Sequence, residues 1–178
     1  MSDGKFLFCD TPDAIVSGLL ERLPRPAAVV GVGNALRGDD AFGPAVVAGL
    51  DPSKTLRLFD VQAVPESFLM PIVESRCDGV LFVDAAELGA EPGRVAIVPS
   101  ETLAEVDVST HAIALGLVAE AIQNLASREQ GREVVCMLLG AQPADLKTAD
   151  RLSASVKRAV RLAVEGLRAF AAHPPGSF

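Results

Sequence analysis

The chain of 178 residues is 49% hydrophobic, enough for one domain with a substantial core. Its 16 Lys and Arg against 23 Asp and Glu give a formal charge of -7, which argues against nucleic acid or any other polyanion as a partner. Cys9, Cys77 and Cys136 are widely spaced, odd in number and form no C-x-x-C pair, which speaks against a disulfide framework or structural zinc site and fits a reducing cytoplasm. Asp3, Asp10 and Asp13 interrupt the N-terminus, so neither a signal peptide nor a membrane span is expected.

Taken in order, Thr11 to Leu23 carries a helical stripe of Ile15, Leu19, Leu20 and Leu23, broken by Pro24 and Pro26. A strand over Ala28 to Val32 follows. Pro44 suits a helix start, so Pro44 to Leu50 reads as a short helix closed by Asp51-Pro52. Leu56 to Val61 is a second strand and Glu66 to Ser75 a helix. The apolar run Gly79 to Val83, capped by Asp84, is a strand covered on both faces. The turn Glu91-Pro92-Gly93 feeds a strand over Arg94 to Val98 that reads as an edge. Ser109 to Ala126 is a long helix with Ser109 as N-cap. Val134 to Leu139 is the last buried strand, Gly140 to Asp150 a loop, and Leu152 to Phe170 an amphipathic helix with a frayed tail after it. The alternation predicts a single α/β domain over 1–178, a three-layer sandwich about a mostly parallel twisted sheet, with an N-terminal helix at about 11–23 and a core at 28–170.

The chemistry concentrates in VVGVGNALRGDDAFG, Val29 to Gly43, where a strand enters a glycine-rich turn bearing Asp39 and Asp40. Ligands of open α/β sheets bind at the carboxyl ends of strands. A dinucleotide fits poorly on detail: Gly31 and Gly33 would need a third glycine at Leu36, no Lys-Ser or Lys-Thr makes a phosphate loop, and Asp60, near the position of a ribose-binding acid, is a single weak match. Paired acids suit a cation or a proton better than a pyrophosphate. Asp84 ends a neighbouring strand, and His111 lies in the first turn of the long helix, where the helix dipole opposes protonation and leaves a nitrogen lone pair to ligate. Asp40, Asp84 and His111 would make an incomplete coordination sphere open to water or substrate. Nickel, zinc, cobalt or cadmium suit such donors better than calcium. Each residue also has a purely structural reading, as a turn or helix cap. Asn34 either orients Asp40 or closes the turn in a left-handed conformation, Asp39 supports the same loop, and Gln142 and Pro143 end the last strand on the same rim. Asp60 reads as structural. Ser109 and Cys136 make no convincing nucleophile arrangement with a histidine, which points to carboxylate-assisted attack by water.

GVGNALRGDDAFGP, VDAAELGAEPGRV, STHAIALGL and LLGAQP occur in this order between about Val29 and Leu146. Together they resemble the hydrogenase maturation endopeptidases that process the large subunit of nickel-iron hydrogenases. VPESF, Val64 to Phe68, resembles a segment of the formate-hydrogenlyase-associated branch. The resemblance implies a phosphorylase/hydrolase-like α/β sandwich and an aspartyl-type endopeptidase that removes a C-terminal extension from the nickel-loaded large-subunit precursor. It places the metal-contacting acids on Asp40 and Asp84 and the histidine on His111, as both catalytic and metal residues. Nickel is then carried by the substrate, with zinc or cadmium as surrogates; a resident ion that activates water is the competing version. The expected location is the cytoplasm, with a hydrogenase large-subunit precursor as partner and neither membrane nor nucleic acid. The chain departs from the pattern at Ala41, where many relatives carry glycine, at Asp40, where many carry glutamate, and at Ser67, which replaces asparagine. The alternatives are a noncatalytic metal- or nucleotide-binding α/β module and another peptidase of the same fold.

Overall fold

The computed structural model describes residues 6–105, 109–146 and 151–173; the side chains of 104–113 lie outside that description. Six strands, β1 (Leu7–Cys9), β2 (Ala27–Val32), β3 (Leu56–Gln62), β4 (Gly79–Ala85), β5 (Val95–Pro99) and β6 (Val135–Ala141), form one sheet in the order β1-β5-β6-β4-β2-β3. β3, β2, β4 and β6 run parallel, and β5 is antiparallel to both β6 and β1. β5 is therefore interior, not the expected edge. The edge is β1, a strand of three residues, too short a run to carry a measurable alternation in sequence.

The helices are α1 (Pro12–Arg22), α2 (Phe42–Ala48), α3 (Leu69–Glu74), α4 (Ser109–Gln130) and α5 (Ala154–Ala172). Alternation along the strands divides the apolar side chains between two faces. Val29, Leu81, Val83, Ile97 and Leu139 meet α1, α2 and α5, whereas Val30, Phe82, Val98 and Leu138 meet α3 and α4. This is the expected three-layer α/β architecture. Fully burying each Val, Leu or Phe contributes about 1.5–3 kcal/mol, so both faces are needed to hold the sheet. Thr11 caps α1 by accepting from the Ala14 amide at 3.2 Å, and Ser153 caps α5 by accepting from the Val156 amide at 3.2 Å. The last helix continues through Ala171 and Ala172 rather than fraying there. Among the described residues, no helix is long and apolar enough to cross a membrane.

The chain after β2 goes to one side, through α2 to β3, whereas β4 lies on the other side of β2. The β2–β4 boundary is thus the switch point of the sheet, where loops part and leave a crevice at the carboxyl ends. α2 sits hard against it: a Cβ on Gly43 would stand 2.2 Å from the Val83 carbonyl oxygen and 2.3 Å from that of Val32. Only glycine permits this approach. The helix also starts earlier than Pro44 predicts, because a 3-10 turn over Gly38–Ala41 runs directly into Phe42. Pro44 remains in the first turn, where its missing N–H has no intrahelical partner to lose.

Candidate functional site

The loop after β2 is shaped by its own backbone needs. Gly33 has φ +124°, and a Cβ there would lie 1.9 Å from the Asp40 carbonyl oxygen, so the loop folds back on itself at a position open to glycine alone. The Asn34 side-chain oxygen accepts from the Leu36 amide at 2.9 Å, closing an Asx turn, and the Asn34 backbone N–H donates to Asp40 Oδ2 at 2.9 Å. Asn34 thus does both of the jobs open to it, but it orients Asp40 through its main chain, and it does not adopt positive φ. Ala41 has φ -75°, a helical value, so the absence of glycine there strains nothing.

Asp39 is buried, not a surface cap. Its Oδ2 accepts from the amides of Ala144 at 2.9 Å and Asp145 at 3.3 Å, and its Oδ1 from the amide of Ser153 at 2.7 Å. One carboxylate so ties the β2 loop to the segment after β6 and to the start of α5. Two adjacent acids have separate duties: Asp39 faces the scaffold, while Asp40 faces the switch point.

Asp84 is 1% exposed, at the penultimate position of β4. Burial, and then the nearby Asp40 carboxylate, push its carboxyl well above the usual carboxylate range; the amide of Ala85 works in the opposite sense. The influence of Asp40 on Asp84 is the tertiary mark of the site, since the two acids are 44 positions apart in sequence. Two buried like charges at this proximity favour taking up a shared proton or a cation.

The side chain of His111 lies outside the described residues, but its helix is well placed. Gln123 Nε2 donates to the Val134 carbonyl at 3.0 Å, and Cys136 Sγ to that of Ala119 at 3.9 Å. Four residues back along α4 correspond to two forward along β6, because the rises are about 6 Å and about 6.6 Å. Two more such steps bring position 111 to the level of Gly140, the strand partner of Asp84. Among the described residues, no group of three or more His, Cys, Asp or Glu is arranged to hold a metal.

Gln142, on the same rim, is buried and fixes the loop after β4: its Oε1 accepts from the amides of Leu88 at 2.7 Å and Ala90 at 3.2 Å, and its Nε2 donates to Glu87 at 2.8 Å. Asp60 is exposed at the end of β3, its carboxylate held by Gln62 Nε2 at 2.8 Å. Ser67 is exposed in the turn before α3.

All three cysteines are free and buried. Burial and then Asp10 push the Cys9 thiol up to about 11, burial and then Glu101 push Cys136 up to about 12, and burial raises Cys77. None supplies a thiolate near neutral pH. Iodoacetamide at pH 8 is accordingly expected to leave the native protein unmodified, with labelling only after denaturation. Labelling of Cys136 in the native protein would overturn this assignment.

The sequence model of the hydrogenase maturation protease family, HycI, matches residues 46–169, a stretch that holds Asp84 and His111 and begins just after the Asp40 loop. The hydrogenase 3 maturation protease of Escherichia coli K12 is 30% identical over 115 residues, covering 63% of this chain and 69% of that protein. The crystal structure of the NiFe hydrogenase maturation protease HycI from Thermococcus kodakarensis matches with a TM-score of 0.65 at 31% identity, over 81% of this chain and 94% of that one. The hydrogenase maturating endopeptidase HybD from E. coli shares the fold, with a TM-score of 0.66 at 24% identity, over 80% of this chain and 90% of that one. Fold and likeness together make this protein a peptidase, a hydrolase of peptide bonds. The chain belongs to the hydrogenase maturation protease family.

Proposed function

We propose that this protein removes a C-terminal extension from the nickel-loaded precursor of a nickel-iron hydrogenase large subunit, with Asp40, Asp84 and His111 around the scissile bond. The observation that carries the reading is the convergence of two buried carboxylates at the sheet's switch point. Carboxylate oxygens and a neutral imidazole suit a borderline ion such as nickel, with zinc or cadmium as surrogates. Here nickel arrives as part of the substrate, and its positive charge relieves the repulsion between Asp40 and Asp84. That gives a reason for selecting the loaded precursor over the empty one.

Hydrolysis then needs a base and an acid. A carboxylate of the pair accepts a proton from water as its oxygen attacks the scissile carbonyl, and the proton passes to the departing amine as the C–N bond breaks. The raised affinity of Asp84 for protons suits it to this shuttle. The Asn34 amide holds Asp40 in place meanwhile.

Purified precursor, with and without nickel, incubated with wild-type protein or Asp40→Asn and weighed by mass spectrometry, tests the proposal. Asn is nearly isosteric and keeps an acceptor for the Asn34 amide, so the fold persists while the anionic oxygen is lost. Wild type should trim the nickel-loaded precursor only, and Asp40→Asn should trim neither. An uncut nickel-loaded precursor with wild-type protein would reject this substrate. Normal trimming by Asp40→Asn would reject the site.

A further inference from the structure

Beside the Asp40 loop lies a groove of about 480 Å³, within the size range of ligand sites. Its floor is built from Gly38, Ala41, Pro44, Ala45 and Ala48, so it follows the outer face of α2 away from the candidate active centre. Gly38 and Ala41, which line the groove, flank Asp39 and Asp40 in the chain, so the groove begins at the loop that carries Asp40. Its walls are charged unequally. Arg151 and Lys157 stand on the side of α5, and Asp60, pinned by Gln62, stands on the side of β3. On a chain of net charge -7, two exposed cations flanking one groove are a local inversion of the overall field. Leu36, next to the lining residue Ala35, is 81% exposed, more than any other large apolar side chain described, and extends the apolar flank.

An endopeptidase must hold the polypeptide on at least one side of the bond it cuts, and floors of small side chains let an extended backbone lie close. We propose that this groove seats the substrate segment adjoining the scissile bond: a short extended stretch of apolar residues carrying an acidic group at the Arg151–Lys157 end. Asp60 sets the direction, because an acid at the β3 end would meet a fixed carboxylate while one at the α5 end meets two cations. The groove therefore selects sequence and polarity, and the Asp40–Asp84 crevice does the chemistry. This assignment rests on the reading of that crevice as the peptidase centre.

The test uses full-length protein and nickel-loaded precursor, with Ala48→Trp filling the groove and Arg151→Glu with Lys157→Glu reversing its charge. All three positions are exposed, so folding should be retained and is checked by melting. Each change should raise KM at least about tenfold with kcat held within about twofold, the pattern of lost ground-state binding. Unchanged kinetics in both, with Asp40→Asn inactive, would overturn the groove and spare the active centre. If wild-type protein leaves the precursor uncut, the groove is decided by amide NMR shifts with the peptides Ac-Val-Ala-Val-Asp-NH2 and Ac-Val-Ala-Val-Lys-NH2. Shifts at Ala45 and Ala48 with the acidic peptide alone, lost in Ala48→Trp, would uphold the groove; no shifts, or equal shifts from both peptides, would overturn it.

Discussion

Replacing Asp84 by Asn should make the protein more stable at neutral pH and abolish its peptidase activity. Burial, and then the charge of Asp40, raise the proton affinity of Asp84 in the folded state. Below the ordinary carboxylate range, the group is protonated whether folded or unfolded and exerts no pH-dependent effect. As pH rises through that range the unfolded chain ionises first, so unfolding releases a proton, and stability falls until the folded group ionises as well. Each pH unit inside this window costs about 1.4 kcal/mol. The Asp84→Asn substitution removes the ionisation while keeping shape. The variant's melting temperature should therefore exceed that of wild type at pH 7–8, by about 2–4 °C per kcal/mol recovered, and the difference should shrink toward pH 4. Precursor trimming should drop by at least about 100-fold, the scale of a lost general acid–base group. Melting curves from pH 4 to 8 beside a mass-spectrometric trimming assay check both halves. A variant less stable than wild type at pH 8, or one equally active, would contradict the assignment. A stabilising substitution that destroys activity is the signature of a residue kept for function at a cost in folding energy.

Asp39→Ala should act in the opposite sense, chiefly on stability. Three backbone amides converge on this one carboxylate, from Ala144, Asp145 and Ser153. Hydrogen bonds to a charged acceptor contribute about 1.5–3 kcal/mol each, but Ala144 and Asp145 are exposed enough for water to replace part of the loss. The expected destabilisation is about 3 kcal/mol, or about 6–12 °C in melting temperature. Asp39→Asn should recover only part of this, because its amide NH2 turns a donor toward backbone donors. Native-state hydrogen exchange gives the local reading: the Ser153 amide should lose protection more than amides of β4, since the start of α5 comes loose before the sheet opens. Unaltered exchange at Ser153 would show that the carboxylate does not anchor this segment. Loss of the anchor should also lower activity, because the β2 loop carrying Asp40 is held from that side.

Fold class, the order of the main helices and strands, and the candidacy of Asp40 and Asp84 can all be read from local pattern along the chain. The reasons are local: continuous apolar runs for the doubly covered strands β2, β4 and β6, 3.6-residue periodicity for α1, α4 and α5, and glycines wherever the chain approaches itself closely. Gly33 and Gly43 announce the loop around Asp40 because no other residue fits their backbone geometry or clearance. Ordered motifs carried the family, since their spacing along the chain survives without any knowledge of contacts. Which residues meet depends on how those elements pack. The pairing of β1 with β5 made β5 an interior strand, and three residues of β1 hold too little pattern to forecast it. The three amides on Asp39 come from 105 to 114 positions away, so its role as an anchor for the start of α5 leaves no trace in the residues around it. The coupling of Asp84 to Asp40 arises because adjacent parallel strands end together at the switch point, a consequence of strand order. Lys157 reads as surface charge on an amphipathic helix and Arg151 lies just before it, and only the packing of α5 beside α2 brings both to a groove. Periodicity and backbone sterics are properties of neighbours in sequence; burial, shifted proton affinity and a binding groove are properties of neighbours in space.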